Sequence, residues 1–149
     1  MTADSDMRVR LSKIIPASRE EVFRVWTEPE QIARWSAPPG ARVAESRVAL
    51  EAGGAWKIGI EDEEGVIHTA FGAYREIDAP NRLVYTWDWE GETSVGETEV
   101  TVEFLADDGS TRVVLTHEGF PAGEAAEGHA QGWDACLGLL EALFESPSD

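Results

Sequence analysis

The spacing of hydrophobic and polar residues predicts one strand, two short helices, about six further strands and one long C-terminal helix. The segment "MRVRLSKIIP" alternates at its start and predicts a first strand that stops at Pro16. In the middle of the chain, alternating segments are joined by the turn sequences "EDEEG", "DAPN" and "DDGS". Short strands joined by tight turns are typical of a meander, so we expect an antiparallel sheet with one solvated face.

Two helix-start signals follow the first strand. Ser18 and Glu21 fit a capping box, in which each side chain accepts a hydrogen bond from the backbone N–H of the other residue. Thr27 and Glu30 repeat this spacing, and Pro29 falls in the first turn, where its missing N–H is harmless. The sequence therefore predicts two short helices, each begun by its own capping box.

The later strands each predict one inward face, because successive side chains of a strand point to opposite sides. In "RLVYTWDWE", the residues on a single side are Leu83, Tyr85, Trp87 and Trp89. The inward positions predicted along the other strands are Trp56, Ile58, Ile60, Thr98, Val100, Val102, Phe104, Val113, Leu115 and His117. The predicted inner face is therefore rich in aromatic rings and includes one histidine.

The last predicted element is a helix that follows "GFPAGE" and runs to Glu145. Its apolar residues fall on one stripe at helical spacing: Ala130, Trp133, Cys136, Leu137, Leu140, Leu143 and Phe144. A single helix covers a sheet of this size only if the sheet curls around it. The pattern therefore predicts an α+β fold with a concave antiparallel sheet of about seven strands.

Three glycines in this helix need an explanation, since each costs roughly 1 kcal/mol relative to alanine in a helix interior. At Gly128, Gly132 and Gly138 the missing side chains either let the helix approach another backbone or leave a space between helix and sheet. The alternative is that Gly128 belongs to the preceding loop and that the other two glycines are tolerated on the solvent side. If the glycines leave a space between helix and sheet, the fold contains a cavity there.

Several short motifs, taken in order, resemble those of one known family. The segment "PASREEVFRVWTEPEQIARWSAPPG" is similar to the opening of the heat-shock-protein-90 ATPase activator-like family, within the START-like (Bet v allergen-like, SRPBCC) superfamily. The matching positions are Pro16, Trp26, Thr27, Pro29 and Trp35. The segments "GGAW", "REIDAPNRLVYTW" and "LTHEGF" followed by "GHAQGW" also resemble this family.

The resemblance runs from Val9 to Phe144, and it implies a single START-like helix-grip domain over residues 1–149 with a core at about 9–144. A helix grip is a curved antiparallel sheet wrapped around a C-terminal helix, with a hydrophobic pocket between them. START-like proteins include lipid and hormone carriers, polyketide aromatases and cyclases, and chaperone-activating domains. The fold does not choose among these activities.

The charge of the chain makes nucleic acids and anionic membranes unsuitable partners. The 149 residues carry a formal net charge of -17. Up to Arg82, 11 basic residues oppose 14 acidic ones, whereas from Leu83 onward only Arg112 opposes 15 acids. Such a surface repels phosphate groups. The N-terminal residues lack the apolar run of a signal peptide, no segment approaches a membrane span and there is one cysteine, so we expect a cytoplasmic protein.

The sequence predicts no metal site, no cofactor and no catalytic residue. The three histidines lie on different predicted elements without metal-ligand spacing, and no phosphate-binding loop is present. Cys136 falls on the apolar stripe of the helix, where a buried structural thiol is expected. His117 and Glu118 are the most suggestive acid–base pair, although neighbours in a strand point to opposite faces.

The aromatic residues give the strongest functional signal, because a largely apolar pocket with a few polar groups is typical of small-molecule sites. The residues predicted to form the ligand cavity are Trp56, His68, Tyr85, Trp87, Trp89, His117, Phe120, His129, Trp133 and Leu137. We therefore expect the domain to bind a hydrophobic or aromatic small molecule. The alternative is that some of these residues only pack against the concave face of the sheet as part of the hydrophobic core.

Two other functions remain open at this level. One is a polyketide cyclase or hydrolase that uses His117, Tyr85 or Glu118 as acid or base. The other is a chaperone-interacting module whose acidic second half meets a basic partner. The sequence does not decide whether the protein forms a homodimer.

Overall fold

A seven-stranded antiparallel sheet forms the framework of the protein. The computed structural model describes residues 8–91 and 96–144. Its strands are β1 (Arg8–Ile15), β2 (Arg42–Val48), β3 (Ala55–Glu61), β4 (Ile67–Asp78), β5 (Arg82–Trp89), β6 (Thr98–Asp107) and β7 (Ser110–Glu118). The strand order is β1-β7-β6-β5-β4-β3-β2, so β1 joins β7 and the remaining strands form the predicted meander. Residues 1–7, where the sequence predicted no signal peptide, lie outside the described residues.

Three helices complete the described part of the chain: α1 (Arg19–Thr27), α2 (Pro29–Ile32) and α3 (Gly123–Phe144). The first predicted capping box is confirmed. The hydroxyl oxygen of Ser18 accepts the backbone N–H of Glu21 at 3.2 Å, and the Glu21 carboxylate accepts the backbone N–H of Ser18 at 3.2 Å. Two orphan donors at the start of α1 are thereby satisfied.

The second predicted capping box is wrong, because Thr27 is the last residue of α1 and does not cap α2. Its hydroxyl donates instead to the backbone carbonyl of Phe23 at 2.9 Å, one turn back in the same helix. Glu28 holds the N-cap position of α2 and makes no side-chain cap. Pro29 is the first residue of α2, as its fixed backbone angle favours.

The long helix α3 lies against the sheet and begins earlier than predicted. It starts at Gly123, so Gly128 belongs to the helix and the loop assignment for this residue is wrong. Four residues of the predicted stripe are buried together with Ala126, namely Trp133, Cys136, Leu137 and Leu140, whereas Ala130, Leu143 and Phe144 of that stripe are only half-buried. The predicted end at Glu145 lies outside the described residues. An ion pair of 3.1 Å between Lys13 and Glu141 ties α3 to the edge strand β1.

The core joins the inner face of the sheet to α1 and α3, which gives the helix-grip arrangement expected from the sequence. The predicted alternation along β6 and β7 is confirmed, because Thr98 to Phe104 and Val113 to His117 are buried at every second residue. Phe104 is fully buried, and its ring lies 5.4 Å from that of Phe23 and 5.7 Å from that of Trp26. These edge-to-face contacts fix α1 on the sheet.

Candidate functional site

A cavity of about 500 Å³ lies between the inner face of β2–β5, the α1–α2 region and the first half of α3. This volume falls within the roughly 300–1,000 Å³ typical of small-molecule sites. Asp62, His68, Glu124 and Gly128 line the cavity and are also partly or fully exposed, so they mark its mouth. The remaining lining is mostly apolar or aromatic.

Aromatic rings form a continuous wall along the cavity. Six of them follow one another with ring centroids 5.0 to 6.1 Å apart. In order along the wall these rings are Trp26, Trp133, Trp87, Trp56, Tyr85 and Tyr74. Because each ring contacts its neighbours, the rings support one another and form a continuous apolar surface along the cavity.

The glycines of α3 leave the space that the sequence suggested. Gly128 and Gly132 both line the cavity, and a Cβ atom added at either position would meet no atom within 4 Å. The interpretation that these glycines let the helix approach another backbone is therefore wrong. Gly138 also faces open space but lies outside the cavity lining. It therefore provides a natural control for the other two positions.

Gly72 makes room for one wall of the cavity. Between the pairs Phe71–Asp88 and Tyr74–Tyr85 the β4–β5 ladder is interrupted, and Trp56 donates its indole N–H to the carbonyl of Thr86 at 3.1 Å. A Cβ atom on Gly72 would lie 1.9 Å from that carbonyl oxygen and 2.8 Å from the indole nitrogen. Only glycine fits there, because a Cβ atom would collide first with the backbone carbonyl of Thr86 and then with the indole of Trp56 that bonds to it.

Five of the six tryptophan indoles donate a hydrogen bond within the described residues. The pairs are Trp26 to the Tyr85 hydroxyl at 3.1 Å, Trp35 to the Val25 carbonyl at 3.0 Å, Trp56 to Thr86, Trp89 to His129 at 2.8 Å and Trp133 to His117 at 3.0 Å. The sixth indole nitrogen, Nε1 of Trp87, is buried and has no partner among those residues. Trp87 lines the cavity, but its Nε1 atom is itself buried, so this unpaired donor does not face the open space.

His117 supports the aromatic wall from behind through a directed chain of hydrogen bonds. The indole N–H of Trp133 can only donate, so Nδ1 of His117 must accept it at 3.0 Å. Nε2 of His117 then carries the proton and donates to the hydroxyl of Thr98 at 2.7 Å, which donates to the carbonyl of Trp87 at 2.7 Å. Burial, and secondarily the nearby His129, lowers the pKa of His117 to about 3, so the imidazole is neutral.

His129 joins α3 to the end of β5 at the cavity. Its Nδ1–H donates to the carbonyl of Ala125 at 2.8 Å, and its Nε2 accepts the indole N–H of Trp89 at 2.8 Å. Burial holds the pKa of His129 below its ordinary value, and the bond to Ala125 opposes this effect in part. Protonation would place a second donor on Nε2 facing the donor of Trp89, so the neutral ring is the one that fits.

The ionisable groups at the cavity mouth are acidic or imidazole side chains. Nε2 of His68 lies 2.9 Å from Oδ2 of Asp62. This hydrogen bond, followed by backbone N–H bonds from Val66 and Glu64, lowers the pKa of the Asp62 carboxyl. Glu124 is the other carboxylate of the lining, and no lysine or arginine is among the described residues that line the cavity.

Seven of the ten residues predicted to form the ligand cavity line it: Trp56, His68, Tyr85, Trp87, Trp89, His129 and Trp133. The other three, His117, Phe120 and Leu137, lie outside the lining. His117 has both ring nitrogens engaged behind the wall, Phe120 packs on His117 with ring centroids 4.4 Å apart, and Leu137 is buried in the core. Ligand binding by the seven lining residues stays a prediction.

Sequence reasoning did not place Tyr74, Trp26 and Trp35 in the cavity lining, where the structure has them. Tyr74 could have been found, because it lies an even number of residues from His68 on β4 and therefore shares its face. Trp26 and Trp35 could not, because the helices that carry them reach the cavity only through the tertiary packing of α1 and α2.

Cys136 and Glu118 were the other two side chains considered for a chemical role. Burial raises the pKa of the Cys136 thiol to about 12, so the thiol is neutral although it lines the cavity. Glu118 lies beside Arg75 and Glu97 on the outer face of the sheet, opposite His117.

Within residues 8–91 and 96–144, no group of His, Cys, Asp and Glu is arranged to hold a metal ion, and no helix is long and apolar enough to cross a membrane.

The sheet, the terminal helix and the cavity between them define a helix-grip domain. Residues 16–145 match the family described as Activator of Hsp90 ATPase homolog 1-like protein. The chain therefore belongs to this family. No curated protein matches the chain in sequence.

Solved bacterial structures share this fold over nearly their whole length. Protein CV1439 from Chromobacterium violaceum is 25% identical with a TM-score of 0.87, covering 95% of this chain and 99% of its own. The AHSA1 protein SPO3351 from Silicibacter pomeroyi is 21% identical with a TM-score of 0.82, covering 91% and 96%. Protein Ms6760 from Mycobacterium smegmatis is 15% identical with a TM-score of 0.84, covering 98% and 95%. At these identities the last two show the fold alone.

Proposed function

We propose that this domain binds a hydrophobic or aromatic small molecule in the cavity between the sheet and α3. The observation that carries the proposal is a preformed space of about 500 Å³ with an aromatic wall and few polar groups. Burying about 200 Å² of apolar ligand surface in such a space contributes roughly 5 kcal/mol to binding before the entropic costs of association.

Gly128 and Gly132 of α3 line the cavity and leave space there at some cost in helix stability, which supports a functional origin for the cavity. Alanine at Gly128 or Gly132 would meet no atom within 4 Å and would stabilise α3 by about 1 kcal/mol at each position. Retaining glycine at both positions keeps the space open at the expense of stability. A trade of stability for activity is common at ligand sites.

The proposal is tested by titrating the full chain with N-phenyl-1-naphthylamine, an uncharged apolar probe that fluoresces when it leaves water. We expect saturable binding of one probe per chain, with quenching of tryptophan emission because the probe lies against the aromatic wall. The smaller naphthalene serves as a second probe and as a competitor. Absence of saturable binding by both molecules would overturn the proposed function.

A further inference from the structure

Three hydrogen-bond donors in the cavity lining have no acceptor within the described part of the chain. The hydroxyl of Tyr74 makes no hydrogen bond there, and the hydroxyl of Tyr85 accepts from Trp26 without donating to any group. The indole N–H of Trp87 is buried and unpaired in the same region. Because the Trp87 nitrogen is itself buried, the two tyrosine hydroxyls are the donors that the inner cavity offers to a ligand.

These donors lie close together on the inner face of the sheet. Tyr74 and Tyr85 are paired across β4 and β5, with ring centroids 5.8 Å apart. Trp56 connects them to Trp87, with ring centroids 5.6 Å from Tyr85 and 5.0 Å from Trp87. Tyr74 and Tyr85 are only 5% and 6% exposed, so solvent has little access to them. An occupant with a suitable acceptor would gain a hydrogen bond from one of these hydroxyls, worth about 0.5–1.5 kcal/mol net.

The acceptor on the ligand must be uncharged. The described lining residues supply no basic side chain to neutralise an anion, and both carboxylates, Asp62 and Glu124, lie at the mouth. A buried anion loses its hydration and needs a counter-charge to compensate for that loss. Burial has the same effect on the protein's own groups, since it raises the pKa of Tyr85 above its ordinary range.

We propose that the cavity is selective for uncharged aromatic carbonyl compounds, whose carbonyl oxygen accepts a hydrogen bond from the hydroxyl of Tyr85 or Tyr74. This inference rests on the ligand-binding function proposed above and specifies the class of ligand. The aromatic body of the ligand lies against the indole wall, and its oxygen is directed to the tyrosine pair. Hydrocarbons and carboxylates of the same shape are the disfavoured competitors.

The test compares three ligands of nearly equal shape by calorimetric titration of the full chain at neutral pH. They are 2-acetylnaphthalene, 2-isopropenylnaphthalene, in which a methylene replaces the carbonyl oxygen, and 2-naphthoate, which is an anion. We expect the ketone to bind about three- to tenfold more tightly than the hydrocarbon, the equivalent of one net hydrogen bond. The carboxylate is expected to bind at least about tenfold more weakly than the ketone.

Variants of the two tyrosines assign the hydrogen bond. Tyr74→Phe removes a hydroxyl that makes no bond within the described protein, whereas Tyr85→Phe also removes the acceptor of Trp26. The readout is therefore the ratio of ketone to hydrocarbon affinity in each variant, which cancels a general loss of packing or stability. In Tyr74→Phe/Tyr85→Phe this ratio is expected to fall to about one.

The outcomes separate this inference from the function on which it rests. Equal affinity for ketone and hydrocarbon, or a ratio that survives in the double variant, overturns the carbonyl assignment while ligand binding stands. Carboxylate binding as tight as that of the ketone overturns the selection against charge. If none of the three ligands binds, the proposed function itself fails.

Discussion

Replacing Gly132 with phenylalanine is expected to weaken binding of the uncharged probe at least about tenfold while the domain stays folded. The position lines the cavity, and a Cβ atom there would meet no other atom within 4 Å, so the new ring enters the space that a ligand would occupy. Side chains on a helix lean towards its N-terminus, which directs this ring towards Gly128, also in the lining. Phenylalanine is also a better helix former than glycine, so α3 is not weakened.

Gly138→Phe is the matched control for this experiment. It makes the same exchange in the same helix, again at a position with no neighbour within 4 Å, but outside the cavity lining. We expect this variant to keep the affinity of the original protein. Both melting temperature and probe affinity are measured for the two variants. Equal affinities for Gly132→Phe and Gly138→Phe would show that the probe binds elsewhere.

Lowering the pH is expected to destabilise the protein through His117. Its pKa is about 3 in the folded protein, against an ordinary value near 6.5, so between these values the unfolded chain binds a proton that the folded protein does not. The contribution is fully present above about pH 6.5 and is lost as the pH falls towards 3. Integrated over that window it is on the order of 5 kcal/mol, a large part of a typical domain stability of about 5–15 kcal/mol.

His117→Gln isolates this contribution, because glutamine carries no proton equilibrium in this range. The free energy of unfolding in urea is measured at intervals from pH 7.5 to 4.5 for both proteins. The other acidic and basic groups contribute the same background to each curve, so the difference in slope reports on His117. We expect the original protein to lose about 2–3 kcal/mol more than the variant over this interval. Parallel curves would contradict a neutral, buried His117.

The sequence predicted those elements of the fold that depend only on interactions between residues close together in the chain. The capping box of Ser18 and Glu21 was predictable because all of its atoms lie within one turn of helix. The same spacing at Thr27 failed because the helix before it continues through that residue, and the threonine hydroxyl then bonds one turn back to Phe23. Alternation along β6 and β7 placed His117 on the inner face without further information.

Membership of the cavity lining was less predictable, because an inward direction does not distinguish the wall of a cavity from the core behind it. Leu137 and Trp133 share the apolar stripe of α3, yet only Trp133 lines the cavity. Phe120 follows β7 and packs on His117 instead of reaching the cavity. These outcomes depend on the position of α3 across the sheet, which no pattern within a single element contains.

The hydrogen-bond partners of the tryptophans were likewise beyond sequence reasoning. Trp89 and His129 are 40 residues apart, and their bond requires the end of β5 to meet the first turns of α3. The sequence could indicate only that buried indoles need acceptors. It could not show that the indole of Trp87 and the hydroxyls of Tyr74 and Tyr85 would remain without one in the described structure.

The central claim is that the space between the sheet and α3 receives an apolar guest. Its most direct test is a crystal structure of the original protein soaked with 2-bromonaphthalene, in which anomalous scattering locates the bromine atom. We predict one strong peak inside the cavity, in contact with the rings of Trp87 and Trp133. Bromine found only on the outer surface, with the aromatic side chains closed over the space, would contradict the claim.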